Sequence, residues 1–199
     1  MRVHSPLGSP DPLTHVAITA SGAPPRVRIE EVSPRVDCGR YPAKRTVGDH
    51  VEVAATIVRD GPDVVRAVVR FRPPGARTFR EQPLVAEGND RFAGSFEVDR
   101  PGRWTFAVEA WTDRLATWRQ ELSRKAAAAQ PDLLGELAEG ARLLAAATRR
   151  LRGADRELLA VRAAVADGER VAQETRVDAA LDEGIARRSR GRTSAPLTP

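Results

Sequence analysis

GRWTFAVEAWTDRLATWR, residues Gly102–Arg119, decides how this chain folds. Within it Trp104, Phe106, Val108 and Ala110 alternate with Arg103, Thr105, Ala107 and Glu109. A period of two marks a strand with one face in a core. The stretch also holds Trp104, Trp111 and Trp118, all the tryptophan of a chain that is 5% aromatic. Any sheet here must pack on Trp104 and Phe106, because few other side chains are large enough to fill its middle. Trp111 falls off that face, and Trp118 sits in a run, Thr117–Arg124, that is expected to form a last strand. Trp111 and Trp118 are therefore the candidate sugar-stacking residues; burial at the end of a sandwich is the competing role.

Working back from this strand, the same alternation recurs. Val27 and Ile29 open a strand that ends at Ser33-Pro34. Asp37–Asp49 has the Gly and Pro of a long connection, and His50–Val58 then places Val51, Val53, Ala55 and Ile57 on one face. Asp60-Gly61-Pro62-Asp63 is a turn signal. Val64–Arg72 directs Val65, Ala67, Val69 and Phe71 inward. A weaker strand covers Phe79–Val85, a turn follows at Gly88-Asn89-Asp90, and Arg91–Val98 places Phe92, Gly94, Phe96 and Val98 on one side. About seven short strands at this spacing predict an immunoglobulin-like β-sandwich over residues 26–125.

Beyond Lys125 the period becomes helical. Gln130-Pro131-Asp132 is a helix start, followed by Leu133, Leu134, Leu137, Ala141, Leu144 and Ala145 at helical spacing. Asp155 is a candidate cap for a second helix carrying Leu158, Leu159, Val161 and Val165. A third run, Glu169–Arg188, has a weaker face interrupted by Gly184. Residues 130–188 are thus expected to be a small three-helix segment, marginal unless packed. Residues 1–25, rich in Pro, Ser, Gly and Thr, read as a disordered leader, and residues 189–199 as a disordered basic tail beginning in Arg187–Arg192.

The 199 residues suffice for one domain or two small ones, with an aliphatic interior of mostly Ala and Val. The net charge of +5 is carried almost wholly by arginine, Lys44 and Lys125 being the only lysines. This speaks to solubility before any ligand. The arginine tail lacks interleaved aromatics, which disfavours a nucleic-acid binder. Cys38 stands alone, excluding a disulfide framework and a cysteine metal site. No apolar run reaches signal-peptide or membrane-span length, so a cytoplasmic setting without membrane partners is expected. No metal-ligand spacing, phosphate loop, nucleophile elbow or dinucleotide fingerprint occurs. Glu30-Glu31 and Asp182-Glu183 are sequence neighbours that splay apart, while His4, His15 and His50 lack an evident partner. No catalytic, metal or cofactor-binding residue is nominated, and no cofactor is expected.

Several segments together carry a resemblance. They are Gly39-Arg40-Tyr41-Pro42-Ala43-Lys44 with Gly48-Asp49, and Val53–Gly61. With them go Trp104–Asp113, Thr117-Trp118-Arg119 and Glu139-Gly140-Ala141-Arg142-Leu143-Leu144. In order and spacing the chain resembles, from about Arg26 to Ile185, the N-terminal region of the bacterial α-1,4-glucan:maltose-1-phosphate maltosyltransferases of the α-amylase-like superfamily. The resemblance implies a β-sandwich followed by helices, a role in homodimer formation, and a place beside an active site. It also implies a catalytic (β/α)₈ barrel further along, which needs about 250 residues of strand–helix repeats. The family reaction moves maltose from maltose 1-phosphate to an α-glucan with retention, which calls for two carboxylates about 5 Å apart. Nothing in the resemblance puts those carboxylates in this chain, so it is expected to be a fragment, a truncated reading frame or a separately encoded domain, inactive alone. A free-standing carbohydrate-binding sandwich is the alternative.

Overall fold

A computed structural model describes residues 2–6, 26–149, 153–168 and 171–182. The rest of the expected leader, with His15, lies outside the described residues, as do Glu183, the end of the third helical run and the basic tail. Two compact units divide the chain: Met1–Gly61 with Val65–Trp111, and Pro62–Val64 with Thr112–Pro199.

The first unit is a seven-stranded sheet. Its strands are β1 (Arg2–Pro6), β2 (Val27–Ser33), β3 (His50–Arg59), β4 (Val65–Arg72), β5 (Arg80–Gly88), β6 (Arg91–Glu97) and β7 (Thr105–Thr112). They lie in the order β1-β7-β4-β5-β6-β3-β2. β5 is the turning point: its first half pairs antiparallel with β4, Leu84 opposite Ala67, and its second half with β6, Val85 opposite Ala93. The sheet thereby folds over a single core that takes Val65, Ala67, Val69 and Phe71 from β4 and Val53, Ala55 and Ile57 from β3. The alternation read from the sequence holds on each of these faces, with β4 buried at every second residue. Phe71 and Phe96 stack at 4.4 Å in the middle, with Trp104 about the same ring pair at 6.4 and 6.0 Å. Gly94 is needed where β5 bends, since a Cβ there would stand 2.7 Å from the Pro83 carbonyl oxygen.

On the other face of the sheet, Arg70 joins three strands, reaching Glu81 at 3.2 Å and Glu109 at 3.1 Å. Such cross-strand pairs of opposite charge fix register as well as adding modest stability. Arg2–Pro6, read as part of a disordered leader, instead pairs with β7 in the register Arg2 opposite Glu109 through Pro6 opposite Thr105.

The second unit corrects the sequence reading most. Thr117–Arg124 is no strand; it belongs to α1 (Arg114–Ala127), so four helices are described in place of three. The others are α2 (Leu134–Thr148), α3 (Ala154–Asp167) and α4 (Gln173–Leu181). Asp113, only 2% exposed, starts α1 by accepting the Ala116 N–H at 2.9 Å. Thr117 then accepts the Val64 N–H at 2.9 Å. Leu115, Trp118 and Leu122 follow at helical spacing and are buried. They share a core with Leu133, Leu137, Ala141 and Leu144 from the α2 side and Ala163, Ala166, Val177 and Ala180 from α3 and α4. Leu134 and Ala145, expected on the inner stripe of α2, are exposed. Asp132, one residue before the N-cap Leu133, accepts the Leu134 N–H at 2.9 Å, close to where the sequence places the helix start.

Arginines close the helix ends. Arg119 donates to the Ala180 and Leu181 carbonyls at 2.6 and 2.7 Å, and buried Arg176 donates twice to Ala166. Cations at helix C-termini satisfy orphan carbonyls and oppose the helix dipole.

Lys125 bridges Glu121 on its own helix at 3.0 Å and Glu136 on α2. The bond from Lys125 holds the Glu136 carboxyl below its ordinary value, and Glu136 in turn raises the Lys125 amine. The carboxylate's contribution is present above its unfolded pKa and is lost as pH falls through the lowered folded value; the amine's is present below its unfolded pKa and is lost as pH rises through the raised one. Lys125→Met is therefore expected to flatten the loss of stability on acidification below the ordinary carboxylate range. Thermal melting from neutral to acid pH reads this; equal slopes for the two proteins would contradict it.

Candidate functional site

The loop between β2 and β3 and the loop between β6 and β7 come together beside the folded sheet. Between them lies a cleft of about 580 Å³. The first loop carries the Gly39–Lys44 segment singled out in the sequence. It is fastened at its base: Gly48 N–H donates to the Val98 carbonyl at 2.8 Å, Val98 N–H to Asp49 at 3.0 Å, and Thr46 N–H to the Asp49 carboxylate at 2.8 Å. The second loop is held down by the Trp104 indole, which donates to the Arg100 carbonyl at 3.0 Å. Gly102 permits the close pass beside Pro74, where a Cβ would stand 2.6 Å from the proline ring, and its φ of 126° suits glycine.

Lys44, Arg45, Arg100 and Arg103 line the cleft, and no carboxylate does so among the described residues. Pro42, Val47 and Pro101 supply its exposed apolar part; Val51, Val98 and Trp104 also line it but are buried. Arg100 is offset from outside by Asp99, whose carboxylate it meets at 2.7 Å and which also binds Arg80 at 3.2 Å. Arg100, then Arg80, hold the Asp99 carboxyl below its ordinary value. Lys44, Arg45 and Arg103 are exposed and pair with no carboxylate among the described residues. Sequence reasoning missed this grouping, because Lys44 and Arg103 stand in different loops. One signal pointed to it: Lys44 is one of only two lysines and lies in the loop whose motif stood out.

The residues nominated from the sequence fall elsewhere and do not converge. Trp118 is 4% exposed inside the helical core, its indole donating to the Glu136 carbonyl at 2.7 Å, which leaves no ring face for a sugar. Trp111 ends β7 on the face opposite Phe106 and is half-buried, its indole N–H without an acceptor among the described residues. His50 is exposed at the start of β3, and His4 lies in β1. Glu31 accepts from the Thr56 hydroxyl at 3.0 Å, Glu30 faces Arg28 at 3.9 Å, and Asp182 pairs with Arg162 at 3.1 Å. Among the described residues no group of three His, Cys, Asp or Glu side chains could hold a metal ion. No described helix is long and apolar enough to cross a membrane.

Residues 25–196 match the sequence model of one family, described as alpha-1,4-glucan:maltose-1-phosphate maltosyltransferase, domain N/S. Curated relatives agree. The chain is 44% identical over 132 residues to the alpha-1,4-glucan:maltose-1-phosphate maltosyltransferase of Myxococcus xanthus, covering 64% of this chain and 20% of that protein. It is 38% identical over 179 residues to maltosyltransferase 1 of Streptomyces coelicolor, covering 85% of this chain and 26% of the relative. The Burkholderia pseudomallei enzyme of the same name is 38% identical over 150 residues, 75% of this chain and 13% of its own length. The chain thus spans about a quarter or less of the curated relatives it matches.

Proposed function

The chain belongs to the family of N/S domains of alpha-1,4-glucan:maltose-1-phosphate maltosyltransferase, and from that membership we propose that it is the N-terminal, non-catalytic dimerisation and scaffold region of such an enzyme. The observation that carries this reading is the extent of the match. It takes in residues from both cored units, so the chain corresponds to the paired N and S parts and not to a sandwich alone. In this reading the sandwich is immunoglobulin-like, and the chemistry belongs to a catalytic (β/α)₈ barrel in the remaining length of the relatives. The partners are then a second copy of this region and that barrel, in a cytoplasmic enzyme extending α-glucans with maltose from maltose 1-phosphate. Nothing in this chain is assigned a catalytic role.

Sedimentation of the purified chain across a wide concentration range tests the dimerisation role. A concentration-dependent dimer is the expected result. A monomer throughout would remove the dimerisation role.

One observation favours a second reading, a carbohydrate-binding module. Trp111 is half-buried near the end of β7, so part of the residue stays exposed as the kind of flat apolar surface that suits a sugar ring, while its indole N–H is itself buried. Titration with maltooligosaccharide separates the two. On the scaffold reading, tryptophan emission and binding heat stay unchanged in the native chain; a saturable signal lost in Trp111→Ala would favour the module.

A further inference from the structure

We propose that β1 is an exchangeable strand: the edge of β7 accepts residues 2–6 of a second copy of this chain, which in turn takes those of the first. The ground is where β1 sits and how it is tied there. β1 and β2 follow one another in sequence yet stand at opposite ends of the strand order. No hairpin turn therefore joins β1 to its pairing partner. About 20 residues separate it from β2, with Pro10, Pro12, Pro24 and Pro25 among them. At full extension such a length reaches about 65 Å, more than twice the roughly 30 Å width of a small domain. The same strand can thus reach the β7 edge of a neighbouring copy. An element on a long connection swaps at low cost, because each pairing lost in one copy is regained in the other.

The pairing itself is weak enough to exchange. β1 meets only β7, over five residues, Arg2 opposite Glu109 through Pro6 opposite Thr105. Pro6 has no N–H to give. The net gain from a backbone hydrogen bond is about as large as the entropy cost of fixing one residue, so five pairs hold a strand with little to spare. β7, in contrast, is paired on its other side by β4, and Phe106, Val108 and Ala110 anchor it in the core. The acceptor edge therefore persists when the strand leaves. The family match begins at residue 25, so this edge belongs to the shared domain while β1 lies outside it. An open edge of this kind pairs with an extended segment by strand addition. The inference does not rest on the scaffold reading, since a dimer formed through any other surface leaves β1 on its own sheet.

Cysteine pairing in the full chain, with Cys38→Ser throughout, tests this. One preparation carries His4→Cys and another Ala107→Cys, positions that stand opposite each other in the β1–β7 register and so within reach of a disulfide. Neither variant can close on itself. Mixed, incubated and gently oxidised, the two are expected to give a covalent dimer holding one copy of each. Its yield should exceed by at least about tenfold that of His4→Cys mixed with Arg28→Cys, exposed on β2, because only a docked strand raises the local thiol concentration. Pro6→Cys with Thr105→Cys, the next pair on that face and half-buried on the β7 side, repeats the reading should Ala107→Cys disturb the sheet. A chain bearing both His4→Cys and Ala107→Cys reports pairing within one copy. Internal closure of that chain with no mixed dimer from the single variants would overturn the proposal, as a strand fixed on its own sheet. So would equal yields with Arg28→Cys, or the absence of both products.

Discussion

Gly140→Ala is expected to destabilise the helical unit by about 3 kcal/mol, despite placing a better helix former in α2. A Cβ at this position would stand 1.8 Å from Trp118 Cζ2 and 2.4 Å from two further ring atoms. The indole cannot withdraw freely. It is buried, its N–H is spent on the Glu136 carbonyl, and Leu122, Leu137 and Leu144 occupy the rest of that core. Forcing a methyl into a filled core costs about 1–3 kcal/mol, and freeing a buried N–H costs about the same again. The gain of about 1 kcal/mol in helix propensity offsets only part of this. A double-mutant cycle makes the argument specific. With Trp118→Leu already in place, adding Gly140→Ala should be neutral or stabilising, because the ring it collides with is gone. Urea unfolding followed by helical circular dichroism measures all four proteins. Equal effects of Gly140→Ala with and without the ring would contradict this packing.

Phe106→Ala should cost the seven-stranded unit about 3–5 kcal/mol, the usual penalty for emptying a fully enclosed aromatic site. Phe106 is 0% exposed and tilts against Phe96 at 6.2 Å, which in turn stacks on Phe71. The chain has few other large side chains, and the neighbouring core residues Val53, Val69 and Val108 are too small to collapse into the space. Leu134→Ala, at a position 55% exposed on α2, is the matched comparison and should change stability by no more than about 0.5 kcal/mol. Near-ultraviolet circular dichroism during denaturation reads the aromatic core directly. A Phe106→Ala cost below about 1 kcal/mol would mean that the core is not centred there.

The alternation of β3, β4, β6 and β7 was legible because each of these strands places its large apolar residues on the face turned to the common core. β5 was less so, having a single buried residue, Leu84, where it passes from one pairing partner to the other. The strand expected over Thr117–Arg124 failed for a local reason. Asp113 as a helix cap and the spacing of Leu115, Trp118 and Leu122 favour a helix, yet the preceding alternation through Trp111 invited continuation of the strand. Arg119 and Gly140, both within segments that carried the family resemblance, now have physical roles: one closes α4, and the other makes room for Trp118. The basic cleft was hidden because its cations come from separate loops that only the folded sheet brings together.

The proposed division of labour gives this region packed surfaces and leaves bond-making to the remaining length of enzymes like its relatives. Release of inorganic phosphate from maltose 1-phosphate in the presence of glycogen, assayed with the purified chain, tests that division most directly. The account predicts no release above the protein-free rate. Sustained turnover that scales with the amount of this polypeptide would contradict it.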